Sequence, residues 1–335
     1  MKRFAGFAVA AALVSLSLVS SAVPFANRAE AQQTATPAAS LNFRDVAALG
    51  LNADGTRLLV ADRSTDTAHI YDTTDIENPE LLQTIELDGT PLDTAWINHE
   101  DGEFALIIVD SEDGILLQVL AMPNAREGWI PYAIYDMFSS PSQLITSIDG
   151  GWASAYGSDG SVLMQVISRG EINSSIVADH AIAAEALTET LLLAAGDESS
   201  QIAVGTPISG PMLDDTGIIE LDDRVIALAA GRDELVAALT DAPAMILIEP
   251  STQEITATLT LRSSATGLTF MPFSEGDFFA VFQPGNESIS LIPIVRRAAG
   301  RPQTVTTANE VQQAAGAGSI LVTTDGQQVD IYAVG

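Results

Sequence analysis

The chain has 335 residues with 14 basic and 44 acidic side chains, so its formal net charge is −30, and it contains no cysteine. A protein this acidic repels nucleic acid and anionic membrane surfaces, and neither is expected as a partner. The lack of cysteine excludes disulfides and a cysteine nucleophile. The acidity is compatible with solubility, with a basic partner, and with a bound divalent cation such as Ca²⁺.

The N-terminal segment, residues 1–31, reads as a secretory signal peptide. Lys2 and Arg3 give it a positive start, an apolar run extends over residues 4–19, and Ala29-Glu30-Ala31 matches a cleavage pattern. An uncleaved N-terminal anchor is the alternative, because the run approaches the roughly 20 residues that span a bilayer. We expect an extracytoplasmic protein, periplasmic or secreted, with no membrane span after cleavage.

Cleavage would make the charge balance more extreme. It removes Lys2, Arg3, Arg28 and Glu30 from the 14 basic and 44 acidic residues, which leaves 11 arginines, no lysine and 43 acidic residues. The next residues, 32–39, are small and polar, and this composition predicts a flexible leader.

A unit of about forty-three residues then repeats seven times along the chain. Each copy reads apolar strand, tight turn, apolar strand, polar turn, apolar strand. The second turn recurs near Asp66, Asp113, Asp159, Ser199, Pro243, Asn286 and Gly326. A fixed period of this length with only strands inside it predicts an all-β, seven-bladed β-propeller with four antiparallel strands in each blade. A helical repeat is excluded because the apolar runs are short and rich in β-branched residues.

The blades can be placed in chain order, and the last one is incomplete. The repeats predict blades over about 46–87, 92–136, 142–178, 180–221, 224–261, 265–307 and 310–335. Three strands of the seventh blade fit before Gly335, and the fourth is missing. Residues 40–44, just before the first innermost strand, can supply it. This strand would close the ring and remove exposed sheet edges, so we expect a monomer.

Four short stretches in the first two blades match a known repeat pattern. Residues 58–62, 69–72, 77–81 and 89–91 read LLVAD, HIYD, ENPEL and GTP. They resemble the YVTN and LVIVD repeats of bacterial extracytoplasmic β-propellers, most clearly over residues 46–110. The resemblance implies a propeller fold, an extracytoplasmic location and a binding or scaffolding role. Its motif marks strands and turns and implies no catalytic set.

Motifs for common enzyme chemistry are missing from the sequence. It has no G-x-S-x-G elbow, no H-E-x-x-H and no glycine-rich phosphate loop of standard spacing. The acidic stretch 110–114 has oxygen ligands at near-alternate positions but lacks the full calcium-loop pattern, so turn formation is the simpler reading. On balance we expect a protein that is not an enzyme and holds no cofactor, except for a possible divalent cation.

The central channel is the first candidate site. In propellers, ligands sit where the leading ends of the innermost strands converge on the axis. Those ends carry polar residues, namely Asp45, Asp93, Gln143, His180, Arg224, Thr266 and Glu310. Asp93, His180 and Glu310 are the candidate metal ligands, and Gln143 and Arg224 are candidate binding residues. Polar strand ends near solvent are also common in proteins that bind nothing there.

A loop-face patch is the second candidate site. Trp129, Pro131, Tyr132 and Phe138 lie in the longest insertion and could form an exposed apolar surface for a partner. The sequence therefore favours an exported, non-catalytic scaffold that binds a protein or a polymer such as a polysaccharide. The alternative is a metal-dependent, lactonase-like hydrolase with a divalent ion in the channel, which polarises a carbonyl and activates water.

Overall fold

The computed structural model describes residues 32–99, 102–122, 128–137, 140–168, 171–178, 181–206 and 217–334. All regular secondary structure in these ranges is β, and it forms seven sheets. Each sheet is a blade built on four antiparallel strands, and the sheet of blade 6 has two additional short strands. In blades 1 to 5 the innermost strand is the first of its blade in the chain. The prediction of an all-β, seven-bladed propeller is confirmed.

The strands follow one another in blade order. Two strands precede blade 1, and they are β1 (Gln32–Thr34) and β2 (Ala39–Asn42). Blade 1 consists of β3 (Val46–Leu51), β4 (Arg57–Asp62), β5 (Thr67–Asp72) and β6 (Glu80–Glu86). Blade 2 consists of β7 (Thr90–His99), β8 (Gly102–Ser111), β9 (Gly114–Ala121) and β10 (Ile130–Asp136). Blade 3 consists of β11 (Pro141–Thr146), β12 (Trp152–Gly157), β13 (Gly160–Ser168) and β14 (Glu171–Ala178).

The second half of the ring repeats this arrangement. Blade 4 consists of β15 (Ile182–Leu187), β16 (Leu192–Gly196), β17 (Gln201–Gly205) and β18 (Gly217–Glu220). Blade 5 consists of β19 (Val225–Ala230), β20 (Val236–Thr240), β21 (Ala244–Glu249) and β22 (Glu254–Thr260). Blade 6 consists of β23 (Gly267–Phe273), β24 (Gly276–Phe282), β25 (Asn286–Val295), the short β26 (Ala298–Ala299) and β27 (Gln303–Val311). Blade 7 consists of β28 (Gln313–Ala317), β29 (Ile320–Thr324), β30 (Gln328–Ala333) and, from the other end of the chain, β2.

The core lies between neighbouring blades, because each middle strand is covered on both faces. In β8, residues 105–109 have no exposed surface, and their sequence ALIIV is apolar without a polar break. Apolar runs of this kind are expected where a sheet is buried on both sides. Odd-numbered and even-numbered residues of β8 enter different clusters, one shared with blade 1 and one shared with blade 3. Burial between blades therefore takes the place of a single central core.

The N-terminal strand closes the ring as predicted. Strand β2 pairs antiparallel with β30, with Ala39 opposite Ile331. The Ser40 Oγ hydroxyl donates to Oδ1 of the buried Asp330 at 2.6 Å, and Asn309 Nδ2 donates to its Oδ2 at 2.8 Å. Asp330 thus joins strand β2 to blades 6 and 7, so closure involves side chains as well as the backbone ladder.

One strand was not expected from the sequence. Residues 32–39 are predicted as a flexible leader, but Gln32–Thr34 form β1 and pair in parallel with residues 304–306 of β27. The pairing gives blade 6 an additional outer strand, and its partner lies far away in the sequence. Local composition carries no information on a contact at such separation. Strand β1 therefore covers the outer edge of blade 6, and strand β2 completes blade 7.

The closure between blades 7 and 1 also depends on two glycines. Gly55 and Gly318 lie in the first hairpins of these blades and have φ angles of 74° and 60°. A Cβ at Gly55 would lie 2.5 Å from the Ala317 carbonyl oxygen, and a Cβ at Gly318 would overlap the Asp54 carbonyl oxygen. Both the left-handed backbone and the close approach require glycine.

The described ranges also contain no helix with the length and hydrophobicity that a membrane span needs.

Candidate functional site

The central channel widens into two cavities that meet at a mainly apolar waist. One cavity, of about 450 Å³, lies where the innermost strands begin, and we call it the N-terminal mouth. The other, of about 410 Å³, lies where they end. The residues that line both cavities form the waist, and they are Leu49, Leu228, Leu268, Thr269 and Ala314. A cavity of this size can enclose a small molecule.

Bulges shape the wall of the N-terminal mouth. The innermost strands of blades 1 to 5 each show a register shift near their first residues, at Val46/Ala48, Pro91/Asp93, Pro141/Gln143, Ile182/Ala184 and Val225/Ala227. A bulge places two consecutive residues opposite one and redirects a side chain. In blades 2 to 5, both the bulged residue and the one after it line the cavity. The repeated bulge is thus what brings Asp93 and Gln143 to the mouth.

Asp93 is the charged side chain among the described residues of this wall. Its Oδ1 accepts the Thr94 N–H and its Oδ2 accepts the Leu144 N–H of blade 3, both at 2.8 Å. Burial raises the pKa of Asp93 to about 6, although these two hydrogen bonds favour the charged form. None of the ion pairs between described residues includes Asp93.

Gln143 and Tyr156 form a polar pair beside Asp93. The Tyr156 hydroxyl donates to Gln143 Oε1 at 2.5 Å. This bond uses the amide oxygen of Gln143 and not the two N–H donors of its amide nitrogen. Burial, followed by the charges of Glu185 and Asp93, raises the pKa of Tyr156 well above its usual range. Tyr156 therefore remains a neutral hydrogen-bond donor at physiological pH.

A second carboxyl group lies deeper, between blades 3 and 4. Glu185 has no exposed surface, and it accepts a hydrogen bond from Ser161 Oγ at 2.6 Å and another from Ser154 Oγ. Burial raises the pKa of Glu185 to about 7, and the two serine hydroxyls oppose the rise. Sequence reasoning missed this residue, because a lone glutamate in an alanine-rich strand reads as exposed.

The structure brings some of the predicted channel residues together and not others. Asp93, Gln143 and Thr266 line the N-terminal mouth, but Arg224 does not. Arg224 instead lies 3.7 Å from carboxylates of Glu198 and Asp241. Asp45, also expected at the channel, forms an ion pair with Arg63 at 3.1 Å.

The predicted metal ligands do not converge in the described residues. Glu310 is exposed and belongs to β27, the fourth strand of blade 6, because that strand extends further than the sequence indicated. His180 lies outside the described residues. Within the described ranges no three histidine, aspartate or glutamate side chains are grouped closely enough to hold a metal ion. A site made of Asp93, His180 and Glu310 remains a prediction.

Trp129 is a correction to the predicted loop-face patch. Its side chain is only 2% exposed and packs edge-on against Trp96, with ring centroids 5.2 Å apart, between blades 1 and 2. Gln83 of blade 1 holds its backbone, accepting the Trp129 N–H at 2.8 Å and donating to its carbonyl oxygen at 2.6 Å. Trp129 is therefore a packing residue and cannot contact a partner. Phe138 lies outside the described residues.

Exposed apolar side chains instead occur on the outer strands of blades 1 and 2 and at Met122, which directly follows β9. We call this set the rim patch, and it consists of Leu81, Leu82, Met122, Ile130, Tyr132 and Ile134. Tyr132 was predicted to be exposed, whereas Leu81 and Leu82 were not singled out as surface residues. The two Gln83–Trp129 hydrogen bonds join β6 to the residue before β10, so the two outer strands approach each other at this point.

Comparison with known proteins shows the fold and no family. No family model matches the chain, and no curated protein matches it. A chain in a solved structure described as the crystal structure of the mitotic checkpoint complex is similar over 99% of both chains, with a TM-score of 0.66 and 12% identity. At that identity the likeness extends to the fold alone. The chain is a seven-bladed β-propeller with a WD40-like fold, and the YVTN or LVIVD repeat type is unconfirmed.

Proposed function

We propose that this protein is an exported, non-catalytic β-propeller scaffold that binds a protein partner through the rim patch. The observation that carries the proposal is the concentration of exposed apolar side chains on two neighbouring outer strands. Of nine large apolar side chains that are exposed in the described part of the chain, six belong to this patch. Contiguous exposed apolar surface on a soluble protein marks an interaction site.

The patch has the mixture of residues that protein interfaces use. Tyr132 is 43% exposed, and Leu81 and Ile134 are 48% and 49% exposed. Aromatic and large aliphatic side chains supply most of the binding energy of interfaces, because they bury large area with little rotamer entropy. Scattered single apolar residues would need no such explanation.

The surroundings of the patch favour a particular kind of partner. Exposed acidic residues flank it, namely Glu80 and Glu86 on β6 and Asp136 on β10. Complementary charge around an apolar centre raises association rates and selects partners. A partner with an apolar centre and basic residues around it fits this surface best.

The patch is also held rigidly. Gln83 fixes the backbone just before β10 through two hydrogen bonds, and Trp129 fills the space behind it against Trp96. A surface that is already ordered loses less conformational entropy on binding. In addition, β6 and β10 are the edge strands of their blades, so part of their backbone is free to pair with a partner strand.

Export is supported by the positive start, the apolar run and the Ala29-Glu30-Ala31 pattern of the N-terminal segment. Mass spectrometry of the protein from its native cells tests it. We expect a mature N-terminus near Gln32 and recovery from the extracytoplasmic fraction. A protein that keeps Met1 and remains with the cytoplasm would contradict export.

The binding role is tested by paired substitutions on two outer strands. Ile134→Glu disrupts the rim patch, and Ile255→Glu is the matched control, because Ile255 is 47% exposed on the outer strand of blade 5. The tagged wild type and both variants are recovered from native cells after chemical cross-linking. We expect one partner to be lost only from Ile134→Glu, and then to bind the purified wild type at least tenfold more tightly than this variant. Equal recovery from both variants, or no cross-linked partner, would overturn the proposal.

A further inference from the structure

We propose that the N-terminal mouth of the channel is a binding site for an organic monocation, an ammonium or guanidinium group carrying an apolar chain. This site is separate from the rim patch and does not depend on the scaffold role.

Asp93 places a negative charge in the mouth of the channel. Its carboxylate lines a cavity of about 450 Å³, and its recorded partners are the uncharged N–H groups of Thr94 and Leu144. A carboxylate offers about four acceptor positions, so two remain for a ligand. Asp93 is half-buried, and a charge partly removed from water without a counter-charge is costly, so a bound cation reduces that cost.

Several other residues of the wall are polar. The side chains of Gln143, Tyr156, Thr266 and Thr269 also line the mouth, and all of them are neutral. Hydroxyl and amide oxygens can accept the further N–H groups that an ammonium or guanidinium presents after one of them meets Asp93. The chain's net charge of −30 raises the local concentration of cations at the mouth.

Another part of the cavity wall is apolar. Asp93 comes from blade 2, whereas Leu228 of blade 5 and Leu268 and Phe282 of blade 6 line the same cavity. The cavity thus offers a carboxylate on one part of its wall and hydrocarbon on another. A cation with an alkyl chain satisfies both, whereas a bare inorganic ion leaves the apolar part in contact with water.

The number of carboxylates in the mouth distinguishes this ligand from a divalent metal ion. Ca²⁺ takes six to eight oxygen ligands and commonly several carboxylates. Among the described residues that line the mouth, Asp93 is the one carboxylate, and the described ranges contain no cluster of three ligating side chains. A single carboxylate matches the charge of a monocation.

The cation could belong to a free amine or to a lysine or arginine side chain of another protein, and the probes separate the two. Isothermal titration calorimetry of the full mature chain at pH 8 and constant ionic strength uses n-butylammonium and n-butylguanidinium. Uncharged n-butanol is the isosteric control. Lysine blocked at both its amino and carboxyl groups represents a peptide side chain, and CaCl₂ represents a divalent ion.

Three variants define the site. Asp93→Asn removes the charge in the mouth, and Glu310→Gln removes an equal charge at an exposed position outside it. Thr266→Arg places a tethered guanidinium at the exposed rim of the mouth, so it tests the site even if Asp93→Asn fails to fold. The melting temperature and far-UV circular dichroism of each variant check folding.

We expect n-butylammonium or n-butylguanidinium to bind with one-to-one stoichiometry. The affinity should fall at least tenfold in Asp93→Asn and Thr266→Arg and change less than twofold in Glu310→Gln. Binding of n-butanol should be at least tenfold weaker. If blocked lysine binds as tightly as the free amine, the source is a protein side chain, and if it does not, the source is a small molecule. No saturable binding, equal binding by Asp93→Asn, or tighter Asp93-dependent binding of Ca²⁺ would overturn the proposal.

Discussion

The two faces of blade 4 differ in what they bury. Toward blade 5 the interface is one continuous apolar cluster, which includes Leu193, Ile202 and Val236. Toward blade 3 the apolar contact is divided into two small clusters around Tyr156 and Leu163. Three buried polar side chains also lie on this side, and they are Ser154, Ser161 and Glu185.

One blade can therefore pack against its two neighbours through different kinds of interaction, apolar contacts on one side and buried polar groups on the other. Apolar burial between blades 4 and 5 contributes a stabilisation that does not change with pH. The carboxyl group between blades 3 and 4 must stay in a dry environment with two hydroxyl partners, so its contribution depends on its protonation. We therefore expect the ring to be least stable at the interface of blades 3 and 4 when the pH is high.

The largest expected effect comes from the apolar face. Leu193→Ala should reduce the free energy of unfolding by about 2–5 kcal/mol, because it removes a fully buried side chain and leaves a cavity. Urea unfolding at pH 5 and pH 8 measures it, and the loss should be the same at both values. A loss that depends strongly on pH would show that the two faces are coupled.

The pH dependence of stability should be nearly as large. Burial raises the pKa of Glu185 from 4.5 to about 7, so the folded protein holds this proton more tightly than the unfolded chain does. Its stabilising contribution is complete below about pH 4.5 and is lost as the pH rises through 7. This separation between the pKa values of Glu185 in the folded and unfolded states corresponds to about 3 kcal/mol in the free energy of unfolding.

Glu185→Gln isolates this effect from the repulsion among the other acidic residues. The difference in unfolding free energy between wild type and Glu185→Gln should change by about 3 kcal/mol between pH 5 and pH 8, with the wild type relatively weaker at pH 8. Urea unfolding across this range measures the difference. A constant difference would mean that Glu185 has an ordinary pKa.

A smaller effect is expected from one of its hydrogen-bond donors. Ser154→Ala should cost about 1.5–3 kcal/mol at pH 8, where Glu185 is ionised, and about 1 kcal/mol at pH 5, where it is protonated. Hydrogen bonds to a charged group are the stronger ones. Unfolding at the two pH values again gives the numbers, and an equal cost at both would contradict the assignment of charge.

The sequence predicted the fold because the information was local and repeated. Turn residues such as Asp54 and Gly55 recur at nearly the same spacing, and the missing strand of blade 7 pointed to residues 40–44. The parallel pairing of Gln32–Thr34 with blade 6 had no such signal, because its partner lies at the other end of the chain.

The site was harder to predict because it depends on exceptions to the repeat. Asp93 and Gln143 line the mouth, and the bulges that direct them leave no mark in the sequence pattern. Trp129 was taken for a surface residue because it lies outside the strand rhythm, and its burial depends on Gln83 of another blade. Glu185 was missed because nothing local reveals that Ser154 and Ser161 face it.

Site-specific photocross-linking in native cells tests most directly whether the protein binds its partner through the rim patch. A photoreactive amino acid is placed at Tyr132 in the rim patch, at Ile255 on the rim of blade 5, or at Thr266 in the N-terminal mouth. We predict a discrete cross-linked protein partner from position 132 and none from position 255, whereas position 266 would capture a protein only if the mouth takes a protein side chain. Cross-linking from 266 or 255 with nothing from 132 would contradict the claim.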